Sequence, residues 1–312
     1  MALQRRAVLA VSGGVDSMVM ATLLFDTAPH LVAGLATFDH GTGAAAREAV
    51  DMVREWGRER QLPVRVGRAE GLPRTESAWR RARWTFLRDA AAAHGVPVAT
   101  AHTEDDQAET IFMRLLRQSG VRGLAGLLAP GPVLRPMLGT SRRTIRDLAA
   151  RQCVTFHEDP SNADLRFLRN RVRLELLPRL EHEHPGFRQW LLELGRAAAD
   201  WRMEVAQAVD RFWAPIVQTD GSTFVARHRD RLPVESEAAL FWPEVAGRVG
   251  VALDRRGTAR LASFTTKRES GLRMPLSGGI EVLGGREGWT LQRAGARVAG
   301  SSPPERPAPL PD

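Results

Sequence analysis

The sequence predicts an α/β protein: a Rossmann-like parallel sheet flanked by helices, followed by a smaller C-terminal domain of helical and α+β character. From residue 5 to about 150, short apolar or β-branched runs alternate with longer amphipathic runs, the pattern of a parallel sheet covered by helices. A glycine turn separates the first apolar run, 7–11, from the first helix-like run, 15–26. From about 219 to 293 the regular alternation of apolar and amphipathic runs stops. A chain of 312 residues is long enough to form two domains with separate cores.

The strands and helices of the first domain alternate along the chain. Apolar runs predict strands at 7–11, 32–38, 64–67 and 97–101, with a shorter candidate at 133–135. Amphipathic runs predict helices at 15–26, 44–61, 77–94 and 105–118. Ser141 is predicted to cap a further helix that ends near Gln152, because its hydroxyl can accept an otherwise unpaired N–H.

The rest of the sequence predicts helices followed by a small α+β domain. Helical patterns cover 167–180, 185–213 and 236–249, and glycines punctuate a hairpin candidate at 276–291.

These patterns suggest three regions. We expect a nucleotide-binding catalytic domain at 1–184, a helical linker with a small substrate-binding domain at 185–295, and a tail at 296–312. The tail is rich in proline and has little to bury, so it is expected to be disordered.

The formal charge of +8 favours a polyanionic partner, since clustered arginines attract phosphates and gain from counterion release. A biased codon composition explains the excess equally well, because arginine and alanine are heavily used and Lys267 is the sole lysine. Local clustering must decide between the two.

The cysteine content and the N-terminal residues point to a cytoplasmic protein. Cys153 is the sole cysteine, which excludes an intrachain disulfide and a cysteine-rich metal site within this sequence. The basic start and first apolar run resemble a signal peptide, but Gly13, Gly14 and Asp16 interrupt the apolar region too early. No stretch is long enough to span a membrane.

The glycine turn has the features of a phosphate-binding loop. It reads Ser12-Gly13-Gly14-Val15-Asp16-Ser17. Adjacent glycines let backbone N–H groups approach an anion, and the helix start adds unpaired donors and a positive dipole end. Asp16 can hold a metal bound to the phosphates. The turn lacks the Gly-Lys-Ser/Thr of a Walker loop and does not fit the dinucleotide fingerprint; the alternative is a turn with incidental polar residues.

Two further polar motifs follow strands of the same sheet. They are Asp39-His40-Gly41 and the segment from His102 to Glu109. Because the carboxyl ends of parallel strands meet at one edge, all three motifs are expected to converge there. Asp39, His40 and Gly41 could equally form a plain turn.

The third motif offers a pair of carboxylates. Asp106 and Glu109 are three residues apart and therefore share one helical face, a pairing suited to a cationic group, a metal or a proton from an amine. The alternative is that Asp105 and Asp106 simply cap the helix. His102, at the strand end, is a further site candidate.

A basic segment lies between the second and third motifs. Arg80 and Arg83 share a helical face next to Trp84, so they could bind phosphate and stack a base. A solvated basic face with aromatic anchors in the core is equally consistent with the pattern.

Taken together, these segments resemble the tRNA(Ile)-lysidine synthases, a family of PP-loop ATP pyrophosphatases. The resemblance runs from about residue 8 to 185. It rests on Ser12 to Ser17, Asp39-His40-Gly41, Arg80 with Arg83, 101–110, 117–126, Arg135-Pro136, Ser141-Arg142, 158–162, 167–173 and 176–178. Thr42-Gly43 stands where the family usually has Leu-Arg, Trp84 replaces a tyrosine, and the match beyond residue 215 is loose.

The resemblance implies a two-step ligation. ATP would adenylate the C2 carbonyl oxygen of the wobble cytidine in an isoleucine tRNA with a CAU anticodon, and free L-lysine would displace AMP. ATP and Mg²⁺ are the implied cofactors, and a homodimer is compatible with the family.

The same resemblance suggests roles for the site residues. Ser12 to Ser17 would hold the phosphates, with Asp39 and His40 also at the nucleotide, and Asp16 would bind Mg²⁺. Asp106 and Glu109 would hold lysine, whereas His102, Arg80 and Arg83 would position nucleotide or RNA phosphate. Apart from the resemblance, local clustering makes a set of arginines candidates for RNA-backbone contact, and a solvated helix would carry the same charges equally well; they are Arg166, Arg169, Arg171, Arg173 and Arg179.

Three other functions would share some of these features. A tRNA thiolase would also need ATP, Mg²⁺ and a basic surface, but it generally uses several cysteines. An amidating synthetase of the NAD or GMP type explains the loop but not the arginine-rich segment. An RNA-binding protein with an inactive nucleotide loop would not need Asp16, Asp106 and Glu109.

Overall fold

The N-terminal part of the chain forms a five-stranded, entirely parallel sheet. We describe it in a computed structural model, which covers residues 3, 5–41, 43–69, 76–212, 215–217, 222–226, 234–248, 250–267 and 271–293. The strands are β1 Ala7–Ala10, β2 Val32–Asp39, β3 Val64–Arg68, β4 Val98–Thr100 and β5 Val133–Leu134. All five lie where the sequence predicts them.

The strand order, β3-β2-β1-β4-β5, makes β1 the central strand. In the register, Val8 pairs with Gly34 of β2 on one side and with Val98 of β4 on the other. The direction of strand addition reverses between β1 and β4, and such a switch point opens a crevice at the carboxyl ends of the strands. The first and third polar motifs follow the two strands that flank this crevice.

Helices pack on both faces of the sheet, and further helices follow along the chain. They are α1 Val15–Thr27, α2 Ala44–Glu59, α3 Glu76–Ala92, α4 Glu104–Leu116, α5 Val121–Leu124, α6 Arg142–Arg151, α7 Leu168–Arg171, α8 Leu177–Glu183 and α9 Phe187–Phe212. The first four and α6 match their predicted bounds within two residues. Ser141 caps α6 as predicted, because its Oγ accepts the Thr144 N–H at 3.2 Å.

Successive residues of β1 pack on opposite faces of the sheet. Leu9 packs in a core with Met18 of α1 and Ile145 of α6, whereas Val8 packs in a second core with Leu87 of α3. This alternation follows from the two-residue period of a strand. It explains why β1 and β2 consist almost entirely of apolar residues.

The helix predicted at 167–180 is interrupted. α7 ends at Arg171, a π-helical turn occupies Val172–Leu176, and α8 follows with Pro178 in its first turn. Pro178 has no N–H for the carbonyl four residues earlier, so regular α-helical bonding cannot run through this point.

The described part of the C-terminal unit contains the end of α9, two further helices and an antiparallel sheet. The helices are α10 Glu235–Arg248 and α11 Arg255–Thr265. The strands are β6 Pro215–Val217, β7 Thr223–Ala226, β8 Arg273–Leu276, β9 Ile280–Gly284 and β10 Gly288–Arg293, in the order β6-β7-β10-β9-β8. The hairpin predicted at 276–291 corresponds to β9 and β10, while α11, β6, β7 and β8 were not predicted.

The core of this unit is built around two tryptophans. Trp242 of α10 and Trp289 of β10 meet edge to face, with ring centroids 5.7 Å apart. Val245, Leu261 and Val282 pack with them. Edge-to-face packing adds specific geometry to the apolar burial that stabilises this unit.

The two compact units divide between Asp200 and Trp201. This division lies later than the boundary predicted after residue 184, and the role predicted for each region stays a prediction. The tail predicted at 296–312 lies outside the described residues. Within the described ranges, no helix is both long and apolar enough to cross a membrane.

Candidate active site

The glycine turn between β1 and α1 has a shape that only glycine permits at residue 13. Gly13 has φ +85°, and a Cβ built there would lie 2.9 Å from Ala49 Cβ and 3.1 Å from the Ala49 carbonyl oxygen. Its own carbonyl accepts the His157 N–H at 2.9 Å. The turn is therefore held between α2 and the segment after α6.

The two serines of the turn stabilise it from within. Ser17 Oγ donates to the Gly14 carbonyl at 2.9 Å and accepts the Ser12 N–H at 3.1 Å, and the two hydroxyls lie 3.2 Å apart. α1 starts at Val15 with no side-chain cap, which leaves its first-turn N–H groups directed at the crevice. Uncapped N–H groups at a helix start favour an anion there.

Asp16 presents a carboxylate at the same place. Its Oδ2 lies 3.7 Å from Arg142 Nε, and its Oδ1 is buried with no hydrogen-bond partner in the structure. Burial raises the pKa of Asp16 above its ordinary value, the Arg142 guanidinium opposes this, and the Asp106 carboxylate adds to it. A buried oxygen without a partner is costly unless a ligand satisfies it.

This carboxylate fits Mg²⁺ held jointly with phosphate. Among the described residues, no group of three or more His, Cys, Asp or Glu side chains could hold a metal by itself. Mg²⁺ is commonly bound by one or two carboxylates together with substrate phosphates. The unpartnered Oδ1 of Asp16, beside an uncapped helix start, suits that arrangement.

The helix of the third motif is capped by a threonine. Thr103 Oγ1 accepts the Asp106 N–H at 3.2 Å, and Asp106 Oδ2 accepts the Thr103 N–H at 2.9 Å, which is a capping box. The N-cap itself is therefore Thr103, while Asp106 completes the capping box and Asp105 lies in the acidic first turn, so part of the capping alternative is confirmed. The capping box holds the Asp106 carboxylate so that its Oδ1 points away from the helix end.

Asp106 and Glu109, the acid pair, lie under three arginines. Glu109 accepts from Arg173 Nε at 2.8 Å, Arg169 Nε at 2.8 Å and Arg142 Nη1 at 3.2 Å. Asp106 Oδ1 accepts from Arg169 Nη2 at 3.0 Å and Arg142 Nη2 at 3.1 Å. We call Arg142, Arg169 and Arg173 the arginine clamp.

The acid pair is shielded from water. Only 2% of the Glu109 side chain is exposed, against 11% for Asp106. Burial alone would raise the pKa of Asp106, but Arg169, Arg142 and the Thr103 N–H hold it below its ordinary value. The two carboxylates meet at the crevice, as their spacing predicts.

The arginine clamp changes the interpretation of the basic segment after residue 165. Arg169 and Arg173 were grouped with residues expected to contact RNA, but in the structure their guanidinium groups pair with the acid pair. Arg166 instead pairs with Asp164 and Arg179 with Glu183. The four-residue spacing of Arg169 and Arg173 indicated a shared direction, but not its target.

The second motif places a histidine in the same region. Asp39 Oδ1 accepts the Gly41 N–H at 2.7 Å, which closes the turn. His40 Nδ1 is buried without a hydrogen-bond partner in the structure, and its ring centroid lies 6.3 Å from that of Trp79. Burial and the positive charge of Arg83 lower the pKa of His40.

His102 and Arg83 are both partly buried near the acid pair. His102 Nδ1 lies 2.8 Å from Thr100 Oγ1, and burial lowers the pKa of His102 to about 4 although Asp106 opposes this, so the ring is neutral at pH 7. Arg83 Nε is buried without a hydrogen-bond partner, and burial together with Arg80 lowers the pKa of Arg83. Arg80 itself is exposed.

Known proteins match either the N-terminal region or most of the chain. A family described as the PP-loop domain matches residues 2–180. A tRNA(Ile)-lysidine synthase of Salinispora tropica is 35% identical over 284 residues, which cover 86% of this chain and 82% of that protein. The tRNA(Ile)-lysidine synthase of Streptococcus thermophilus is 33% identical over 290 residues, which cover 89% of this chain and 64% of the relative.

Several relatives are longer than this chain. The match covers 48% of the tRNA(Ile)-lysidine synthase of Exiguobacterium sibiricum, at 33% identity over 202 residues. Among solved structures, the U34-tRNA thiolase NcsA from Methanococcus maripaludis has the same fold, with a TM-score of 0.51 and 17% identity. That likeness covers 64% of this chain and 74% of the thiolase.

Proposed function

The chain belongs to the tRNA(Ile)-lysidine synthase family of PP-loop proteins, and from this membership we propose that it joins L-lysine to C2 of the wobble cytidine of isoleucine tRNA with a CAU anticodon. ATP would be cleaved to AMP and pyrophosphate, with AMP carried for one step on the cytidine oxygen. The observation that supports this best is the convergence of Asp16, Asp106 and Glu109 on Arg142 at one edge of the sheet. A single arginine side chain thus bridges the phosphate loop and the buried acid pair.

Activation of the cytidine requires a stable leaving group. The N–H groups at the start of α1 would bind the phosphates of ATP, and Asp16 Oδ1 would help to hold Mg²⁺. The metal would neutralise the charge that develops on pyrophosphate. Asp16, whose carboxylate has no other hydrogen-bond partner at Oδ1, would keep the triphosphate oriented.

The second step needs a neutral amine. The ε-ammonium of lysine ordinarily has a pKa near 10.4, so a proton must be removed before attack at neutral pH. The acid pair would bind the ammonium, and one of its carboxylates would accept the proton. Glu109, which is nearly inaccessible to water, would bind an ammonium more strongly than an exposed carboxylate would.

The RNA base would enter on the side of His102 and Arg83. Neutral His102 can exchange hydrogen bonds with a pyrimidine edge without introducing charge. The buried Nε of Arg83 needs an acceptor, which a phosphate or a carbonyl oxygen would supply. An anticodon loop exposes its bases at lower cost than a duplex does, so a loop substrate suits this crevice.

The decisive assay is ATP-dependent incorporation of labelled lysine into an isoleucine tRNA transcript with a CAU anticodon. A transcript with GAU serves as the control. Incorporation with CAU alone is the expected result. Pyrophosphate release without incorporation would indicate another nucleophile, and absence of both reactions would indicate a binding protein.

Separate assays of the two steps test the roles of Asp16 and Glu109. We expect Asp16→Ala to lose tRNA-dependent pyrophosphate release, because the phosphates lose their metal ligand. Glu109→Ala should lower lysine incorporation at least about tenfold more than pyrophosphate release, since the group it removes serves the second step. Equal loss of both reactions in Glu109→Ala would overturn the assignment of Glu109 to lysine.

A further inference from the structure

Arg142 connects the phosphate loop to the acid pair. Its Nε lies 3.7 Å from Asp16 Oδ2, its Nη2 lies 3.1 Å from Asp106 Oδ1, and its Nη1 lies 3.2 Å from Glu109 Oε1. Only 18% of this side chain is exposed. One guanidinium therefore bridges two motifs that serve different substrates.

The backbone of Arg142 is fixed, so only its side chain is free to change partners. Arg142 is the first residue of α6, which Ser141 caps. Its N–H donates to Asp105 Oδ2 at 2.7 Å, and Asp105 also pairs with Arg188. This anchoring lets the guanidinium swing between the loop and the acid pair while α6 stays in place.

The charges around the acid pair are balanced without a ligand. Three carboxylates, those of Asp16, Asp106 and Glu109, face the three guanidinium groups of the arginine clamp. A lysine ammonium entering this network would leave an uncompensated positive charge in a poorly solvated site, which is costly. One guanidinium must therefore leave the acid pair before lysine binds well.

Arg142 is the clamp arginine that also lies beside the phosphate loop, where a second anionic partner can bind it. Among the salt bridges of the described residues, Arg142 is the clamp arginine that also reaches Asp16 on the phosphate loop. A triphosphate bound at the loop would bring several negative charges beside Asp16, and guanidinium groups bind phosphate oxygens bidentately.

We propose that Arg142 is a positioning residue that orders substrate binding. When nucleotide occupies the loop, Arg142 turns to its phosphates and frees the acid pair for lysine. Without nucleotide, Arg142 neutralises the acid pair and keeps lysine out. This inference rests on the proposed function, and it predicts a positive coupling between the two binding events.

Calorimetric titration of lysine into the full chain, with and without a non-hydrolysable ATP analogue and Mg²⁺, measures this coupling. We expect the analogue to tighten lysine binding about tenfold or more in the unaltered protein. In Arg142→Met the protein should bind lysine without the analogue, and the coupling factor should fall to about 1. Because coupling is reciprocal, lysine should tighten analogue binding by the same factor.

The matched control is Arg146→Met, on the next turn of α6. Arg146 pairs with Glu158 at 3.4 Å, and both side chains are exposed. This variant should keep the full coupling. Arg142→Lys, which keeps the charge but cannot bridge both motifs, should retain only part of it and serves if the methionine variant is poorly folded.

The outcomes separate this inference from the proposed function. Equal lysine affinity with and without the analogue in the unaltered protein, or unchanged coupling in both Arg142 variants, would overturn the role of Arg142. Absence of lysine binding both with and without the analogue would overturn it too. Coupling that is lost in the variants supports the inference, and lysine incorporation into tRNA is read in a separate assay.

Discussion

At the scale of single residues, Gly13 shows how little freedom the phosphate loop has. Its positive φ and its contact with Ala49 exclude a side chain for two independent reasons. Gly14, the next residue, has an ordinary φ of −73°, and a Cβ there would meet only Ser12 Oγ at 3.5 Å. The two adjacent glycines therefore have different structural roles.

We expect Gly13→Ala to lower the free energy of unfolding by about 1–3 kcal/mol, because the alanine is strained and pushes against α2. Gly14→Ala is the matched control and should cost less than half as much. Urea denaturation of both variants measures the difference. Equal stability of the two would mean that the Gly13 contact with Ala49 does not constrain the loop.

His102 should make stability depend on pH. Its folded-state pKa of about 4 lies below the ordinary value of 6.5, so the unfolded chain binds more protons between these values. The free energy of folding that depends on neutral His102 is therefore fully present above pH 6.5, and it is lost as the pH falls towards 4.

Replacing His102 tests this linkage. Between pH 7 and pH 4.5, His102→Asn should lose less stability than the unaltered protein, by on the order of 2 kcal/mol. His94→Asn, which replaces an exposed histidine, is the control and should follow the unaltered profile. The measurement is urea unfolding at both pH values, and identical profiles for all three proteins would contradict the assignment.

At the scale of secondary-structure elements, the capping box of α4 joins helix stability to the geometry of the acid pair. Thr103→Val keeps the shape of the side chain but removes the acceptor for the Asp106 N–H and a donor to Asp106 Oδ2. We expect a loss of about 1 kcal/mol in the free energy of unfolding, whereas Thr103→Ser should keep it. Equal unfolding midpoints for the two variants would refute this role of the hydroxyl.

Periodicity predicted most elements of the N-terminal unit because each strand and helix there buries one well-defined apolar pattern. α11 was missed although Asp254 caps it, accepting the Gly257 N–H at 2.6 Å. Its first turn combines Arg255, Arg256 and Gly257, which weakens the apolar pattern. The π-helical turn has no signal in periodicity, since its residues continue a helical pattern.

The candidate site was predictable only in part. Motifs after strand ends identified Asp16, Asp106 and Glu109, because sheet topology brings such positions together. The arginine clamp joins residues 33 to 64 positions apart, and no local pattern specifies which guanidinium meets which carboxylate. These pairings come from the packing of α6, α7 and the π-helical turn near α4.

At the scale of the whole molecule, the net charge of +8 is unevenly available for RNA. The clamp arginines and the exposed Arg166 and Arg179 are paired with carboxylates. Arg171 is exposed and has no ion pair among the described residues, so it is a better candidate for phosphate contact. Charge composition by itself did not distinguish these arginines.

Binding of the CAU transcript should weaken with salt, and Arg171 should account for part of the slope. We expect Arg171→Gln to reduce the slope of log K against log salt concentration by about 0.7 to 0.9, the value for one phosphate contact. Arg179→Gln, whose charge is already paired with Glu183, should change the slope less. Filter binding over a salt series measures the slope for each variant. A slope for Arg171→Gln equal to that of the unaltered protein would show that Arg171 does not contact an RNA phosphate.

The all-arginine composition of the clamp also bears on chemical selectivity. In the proposed reaction, the adenylated cytidine would be an electrophile that any nearby free amine could attack, and a side chain that did so would cross-link the protein to the RNA. Guanidinium groups supply the positive charge that the crevice needs, yet they stay protonated and are poor nucleophiles. With Lys267 as the sole lysine, the N-terminal unit has no lysine side chain that could compete with the free amino acid in the proposed reaction.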